Sequence, residues 1–226
     1  MPVHLACDLA AVVVAVALTA AVWTWRLRGT ALVAADEAYL ATLSAGIVIG
    51  SYGLGTANLW ASGMPGVGRS ILGALAGGIV AVEGFKALRR IGGSTGLIFV
   101  PTFCALVIVG RIGCALSGLE DNTFGIPTDL PWGQDHGDAV LRHPVAVYES
   151  LIMAAFLTLF LWALARRSPL ALRRGFHLMV AFYAIQRFGL EFLKPYATLF
   201  GPFSLFQMTC MALMAYAAVM LKRPLT

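Results

Sequence analysis

Apolar residues run along this chain in long blocks separated by short polar connections. Seven such blocks lie at about 4–25, 38–60, 70–88, 96–116, 146–165, 174–194 and 203–221. Each is close to the ~20 residues an α-helix needs to cross a bilayer. The pattern predicts an all-α fold: a polytopic integral membrane bundle of seven transmembrane helices, with residues 1–226 forming a single membrane domain. No soluble appendage is expected. Neither is a cleavable leader, because the first block runs full length without a basic start. Small residues mark where helices approach closely. The second block ends SYGLGTANLW, and Gly73 and Gly77 form a small-xxx-small pair in the third.

The longest polar interval, about 117–145, breaks the rhythm. Between Gly110 and Glu149 lie six of the eleven carboxylates and two of the four histidines. Gly125, Pro127, Pro131 and Gly133 preclude a continuous helix there. A loop of that length is uncommon unless functional. Glu120, Asp121, Asp129, Asp135 and Asp138 make it acidic. We expect a lid on the outer face, folded over a polar cavity headed by Arg111.

Composition narrows the class further. The chain is 59% hydrophobic and 12% charged, with a mean hydropathy of +0.82, which excludes a soluble domain of this size. With the N-terminus outside, the inner loops carry eleven basic residues: Arg26, Arg28, Lys86, Arg89, Arg90, Arg166, Arg167, Arg173, Arg174, Lys222 and Arg223. The outer side keeps Arg69, Arg142 and Lys194. That bias fixes the expected orientation, with the C-terminus cytoplasmic. The net charge of +5 is then an inner collar beside anionic lipid rather than a nucleic-acid surface. Cys7, Cys104, Cys114 and Cys210 are scattered without a CxxC spacing and read as small buried hydrophobes. Asp135, His136, Asp138 and His143 form no tight ligand motif and read as a solvated loop. Neither metal nor cofactor is expected.

Charges inside the blocks carry the chemistry, since an intramembrane charge is costly unless it pairs or meets a ligand. His4 and Asp8 share a helical face at the outer end of the first block and read as an interfacial pair. Glu83 and Lys86 read as a structural pair. Tyr183, Arg187 and Glu191 stack at four-residue spacing on one face, with Glu191 orienting the Arg187 guanidinium. Arg111 closes the fourth block. Two arginines from different helices in the outer half suit a phosphate, which a guanidinium grips bidentately without losing its charge. The commonest phosphate at that depth belongs to a phospholipid headgroup. His143 and Glu149 are the candidate bases for an acceptor, and Cys114, three residues after Arg111, is a less favoured nucleophile.

Three motifs in register then resemble a known family. GRIG at 110–113 is followed by SGLEDNTFGIPTDLPWG, RHPVAVYE at 142–149 and YAIQRFGLEF at 183–192. Together they look like prolipoprotein diacylglyceryl transferase, a bacterial inner-membrane enzyme. The resemblance implies transfer of diacylglycerol from phosphatidylglycerol to the thiol of a lipobox cysteine in a prolipoprotein signal peptide, releasing glycerol phosphate. It makes Arg111 and Arg187 the essential arginines, with Tyr183 and Glu191 around the second. Gly125 matches the glycine after the first motif, and His143, Pro144, Tyr148 and Glu149 match the histidine-proline element. Gly113 and the two positions that follow in the same motif, Cys114 and Ser117, belong to the implied substrate side. There the chain departs from the family, because Cys114 and Ser117 replace asparagines. Leu119 replaces an acid, Ala146 a glutamine, and Leu72, Gly73 and Ala74 stand where the family has histidine-glycine-glycine. Two other readings stay open: a related lipid transferase with a different acceptor, and a membrane protein that binds phospholipid without chemistry. A transporter is disfavoured, because no internal repeat is visible.

Overall fold

Each expected span forms a helix in the computed structural model, which describes residues 2–28, 36–121 and 123–223. Part of the first connecting loop (29–35) and the side chains of Glu120 and Asp121 lie outside the described residues. Seven long helices are present among the described residues: α1 Pro2–Val22, α2 Glu37–Ala61, α3 Ile71–Arg89, α4 Phe99–Ser117, α5 Val145–Ala165, α6 Pro169–Glu191 and α7 Leu205–Lys222. A π-helical turn, Trp23–Leu27, extends α1. Six of the seven are long and apolar enough to span a membrane. The exception is α6, whose polar stripe dilutes its hydropathy. It also begins earlier than its apolar block, because Pro169 is accommodated in the first turn, where no backbone N–H is needed. Arg173 and Arg174 are therefore helical, not loop residues.

The helices sort into two compact units. Met1–Arg28 and Gly96–Pro195 form one. Here α4 packs against α1, α5 and α6. Its Pro101 sits in the first turn, where it breaks no helical hydrogen bond. Val100, Cys104, Met153, Met179 and Val180 fill the centre with essentially no exposure. Polar links cross the apolar packing. Thr19 and Thr102 join their hydroxyls at 2.6 Å, and Ser150 donates to the Ile108 carbonyl at 2.8 Å. The unit reverses the arrangement of a water-soluble protein: Val13 on α1 is 67% exposed while Glu149 on α5 is 0% exposed. Apolar side chains turned outward suit a lipid solvent, which leaves the polar groups no better partner than one another.

Gly29–Thr95 and Tyr196–Thr226 form the second unit. The stripe of small residues read from the sequence is its α2–α3 interface. A Cβ placed on Gly46 would lie 2.5 Å from the Gly77 carbonyl oxygen, so the two backbones meet with no room for a side chain. The expected Glu83–Lys86 pair forms at 3.1 Å, and Tyr216 of α7 donates to the same carboxylate at 2.9 Å. Helix starts are capped as the sequence prescribes, with Ser70 accepting from Gly73 N–H and a reciprocal Ser204–Gln207 box on α7.

Candidate functional site

Helix geometry brings three elements of the first unit to one point. Arg111 lies two turns before the end of α4. Pro144 caps the start of α5 at Val145, so Glu149 falls in its second turn and is buried. On α6 the four-residue spacing turns Tyr183, Arg187 and Glu191 to the same interior face, each with 3% exposure or less. The centre of the cluster is Glu149. Its Oε2 lies 3.0 Å from Arg111 Nε and 3.5 Å from Arg187 Nη1, and its Oε1 accepts from the Tyr183 hydroxyl at 3.2 Å. Glu191 takes the other side of Arg187, with Oε2 at 2.9 Å from Nη2. The two guanidinium groups from separate helices therefore share one carboxylate.

A third cation belongs to the same cluster. Lys194 lies in the loop just beyond α6, is 5% exposed, and feels the charges of Arg187, Arg111, Glu149 and Glu191. Desolvation, then repulsion from Arg187 and Arg111, hold its ammonium down to about 7. Three cationic side chains against two carboxylates leave an unmatched positive charge when all are ionised. Such a site favours an anion, and a guanidinium has five donors, enough to keep a carboxylate and still meet a phosphate oxygen.

The segment between α4 and α5 packs as a strap. Gln134–Asp135 (β1) pairs antiparallel with Leu141–Arg142 (β2). Asp135 accepts from the backbone N–H groups of Gly137, Asp138 and Ala139, and Asp138 forms a two-oxygen pair with Arg142 at 2.7 Å. The hydrogen bond from Arg142 holds the Asp138 carboxyl below the usual carboxylate range. These acids thus shape the strap. Hydrogen bonds tie it to the rest of the unit. Gln134 donates to the Ala115 carbonyl at 3.0 Å, Trp132 to the Tyr148 hydroxyl at 2.7 Å, and Ile126 N–H to the Leu193 carbonyl at 2.8 Å, next to Lys194.

A second group of side chains lies where α1 meets α4. Asp8 Oδ2 is 3.1 Å from His4 Nδ1, and His4 Nε2 is 3.9 Å from Cys114 Sγ. The same sulfur is 3.8 Å from Arg111 Nη1. Close helix packing holds the contact, because a Cβ on Gly113 would come within 2.6 Å of the Cys7 Cβ.

Of the residues singled out in the sequence, Arg111, Arg187, Glu191, Tyr183 and Glu149 meet in one cluster, with Cys114 at its edge. Ser117 spends its hydroxyl on the Gly113 carbonyl at 2.8 Å. Gly125 lets the chain pass against the His143 backbone, and Tyr148 receives the strap. His143 stands in the strap, its N–H donating to Ile126 and its ring edge-on to Tyr148, and the described contacts do not join it to the guanidinium groups. Two features were missed. Glu149 is the shared counter-ion of both arginines, and Lys194, counted in the sequence only as one of the outer-side cations, is buried in the site. The second had a signal: Arg187, Glu191 and Lys194 are spaced four and then three residues apart, which places them on one helical side.

Comparison with known proteins gives the family. The family model described as prolipoprotein diacylglyceryl transferase matches residues 9–223. A Streptomyces coelicolor protein named phosphatidylglycerol–prolipoprotein diacylglyceryl transferase 2 is 35% identical over 135 residues, covering 52% of this chain and 42% of the relative. Proteins named phosphatidylglycerol–prolipoprotein diacylglyceryl transferase from Thermosynechococcus vestitus and Cupriavidus pinatubonensis are 29% and 32% identical, covering 66% and 60% of this chain and 58% and 48% of theirs. The chain spans about half the length of the curated relatives it matches. No solved structure matches it.

Proposed function

The chain belongs to the prolipoprotein diacylglyceryl transferase family, a family of transferases, and from that premise we propose that it moves the diacylglyceryl group of phosphatidylglycerol to a cysteine thiol of a prolipoprotein. The observation that carries the reading is the pair of guanidinium groups sharing Glu149 beside Lys194. In this reading the lipid phosphate docks on Arg111 and Arg187, with Tyr183, Glu149 and Glu191 fixing their positions. Attack by sulfur on the adjacent glycerol carbon forms the C–S bond as the C–O bond to phosphate breaks. Charge grows on the departing glycerol phosphate, and cations already in place stabilise that growth without reorganising. His143, Tyr148, Gly113, Cys114, Ser117 and Gly125 line the proposed acceptor side and the strap above it. The basic inner collar supports an N-out, C-in orientation, and the family supports a bacterial inner membrane.

Vesicles containing phosphatidylglycerol labelled in its terminal glycerol test the reading, with a lipobox peptide as acceptor. Glycerol phosphate should appear together with a peptide heavier by one diacylglyceryl group. Label that stays in intact lipid bound to the protein would instead make the chain a binder. Cys114 and Ser117, which stand where the family has asparagine, favour a second reading, a related lipid transferase with a different acceptor. Turnover with another nucleophile but not with the lipobox peptide would select it.

A further inference from the structure

The carboxylate–imidazole–sulfur series Asp8–His4–Cys114 ends beside a clamp arginine. Asp8 Oδ2 lies 3.1 Å from Nδ1, an acceptor that suits the N–H at that nitrogen, and Nε2 faces the sulfur position. The His4 side chain is 19% exposed, so it is reachable from outside the packing. The sulfur at Nε2 is also the one next to Arg111 Nη1, so a sulfur placed here meets a proton acceptor on one side and a positive charge on the other. Asp8 on its own helix and Cys114 of α4 face the His4 ring, and Arg111 of α4 faces the same Cys114 sulfur. None of the transfer steps described above uses this imidazole.

We propose that His4, oriented by Asp8, is the general base that takes the proton of the acceptor thiol. The inference rests on the transferase reading. The acceptor sulfur enters next to Cys114, its proton passes to His4 Nε2, and its electron pair forms the bond to the glycerol carbon of the phospholipid. The C–O electron pair leaves with glycerol phosphate, held by Arg111, and His4 then returns its proton to water or to the leaving phosphate. Cys114 is not consumed, since a thioether formed on it would be a poor leaving group and would end turnover. Asp8 is a positioning residue.

The test uses the full chain in phosphatidylglycerol vesicles with two peptides that differ only in cysteine or selenocysteine. A selenol is already ionised near neutral pH and needs no base. With the thiol peptide, His4→Gln should slow transfer by about 100-fold or more at neutral pH, the range of a positioned general base. The loss should shrink as rising pH supplies thiolate. With the selenol peptide the same variant should come within about tenfold of wild type, with lipid binding retained. Asp8→Asn should show the same pattern, more weakly. A His4→Gln enzyme within about threefold of wild type on the thiol peptide overturns the base and leaves the transferase reading standing. So does a defect that the selenol does not relieve, which would mark His4 as structural. A wild-type chain that transfers to neither peptide overturns both.

Discussion

At the residue scale the site is a problem of charge balance, and Glu149 is its pivot. Fully buried, it serves two arginines and a tyrosine at once. Removing one member of a buried ionic group leaves the others uncompensated, at a cost of about 3–5 kcal/mol. Glu149→Gln should therefore lower unfolding stability in detergent by about that amount and abolish turnover, whereas Asp138→Asn in the exposed strap should do neither. Arg187→Lys keeps the charge but loses the planar fork, and should fail to restore activity. Lys194 adds a pH dependence of definite sign. Its ammonium is held down to about 7 by desolvation and by Arg187 and Arg111, and a bound phosphate favours the charged form. Lipid binding should therefore take up a proton above that pH. A phosphodiester stays anionic throughout this range, so affinity for phosphatidylglycerol should tighten as pH falls through about 7. Above it, affinity should weaken by up to about tenfold per pH unit. Titrating lipid binding against pH checks this, and Lys194→Met should flatten the curve.

At the scale of elements, two backbone approaches position everything else. Gly113 lets α1 lie on α4, so Gly113→Val should push His4 away from Cys114 while leaving the Arg111–Glu149–Arg187 contacts in place. Reduced transfer with lipid binding retained is the expected result. In the second unit α2 and α3 meet through glycines, and Gly46→Leu cannot be accommodated against the Gly77 carbonyl. Loss of thermal stability is expected there by the usual cost of overpacking, about 1–3 kcal/mol or more. Existence and order of the helices were readable from the sequence, because span length is set by the bilayer and not by a partner. The polar stripe on α6 was readable for a similar reason, since the four-residue spacing is a property of one helix. The start of α6 was not, because a helix need not stop where its apolar face does: Pro169 opens it, and Arg173 and Arg174 continue it. The identity of Arg111's counter-ion was also hidden, because Arg111 and Glu149 meet across two helices separated by the strap, and no local spacing encodes that. The strap's acids read as a solvated loop, yet Asp135 and Asp138 are engaged in turn and ion-pair geometry that depends on the tertiary path of the chain.

At the scale of the whole molecule, the chain is a multi-pass membrane protein of the transferase family in which Arg111, Glu149, Arg187, Glu191 and Lys194 gather inside one unit while large apolar side chains such as Val13 face outward. That distribution explains how a chain with only 12% charged residues still assembles a concentrated ionic site: in lipid, polar groups have only each other. The proposed orientation is checked by cysteine labelling. A cysteine introduced in place of Gly137 in the strap should react with an impermeant maleimide added outside intact cells, and one introduced beside Arg166 should react only after lysis. The reverse pattern would invert the topology and place the site on the cytoplasmic side. The central claim, that both guanidinium groups hold one lipid phosphate, is met most directly by a crystal structure with a phosphatidylglycerol phosphorothioate bound, its sulfur located by anomalous scattering. That sulfur and its phosphorus should lie between Arg111 and Arg187, within hydrogen-bond reach of both. A phosphorothioate touching neither arginine, with the two still closed on Glu149, would contradict it.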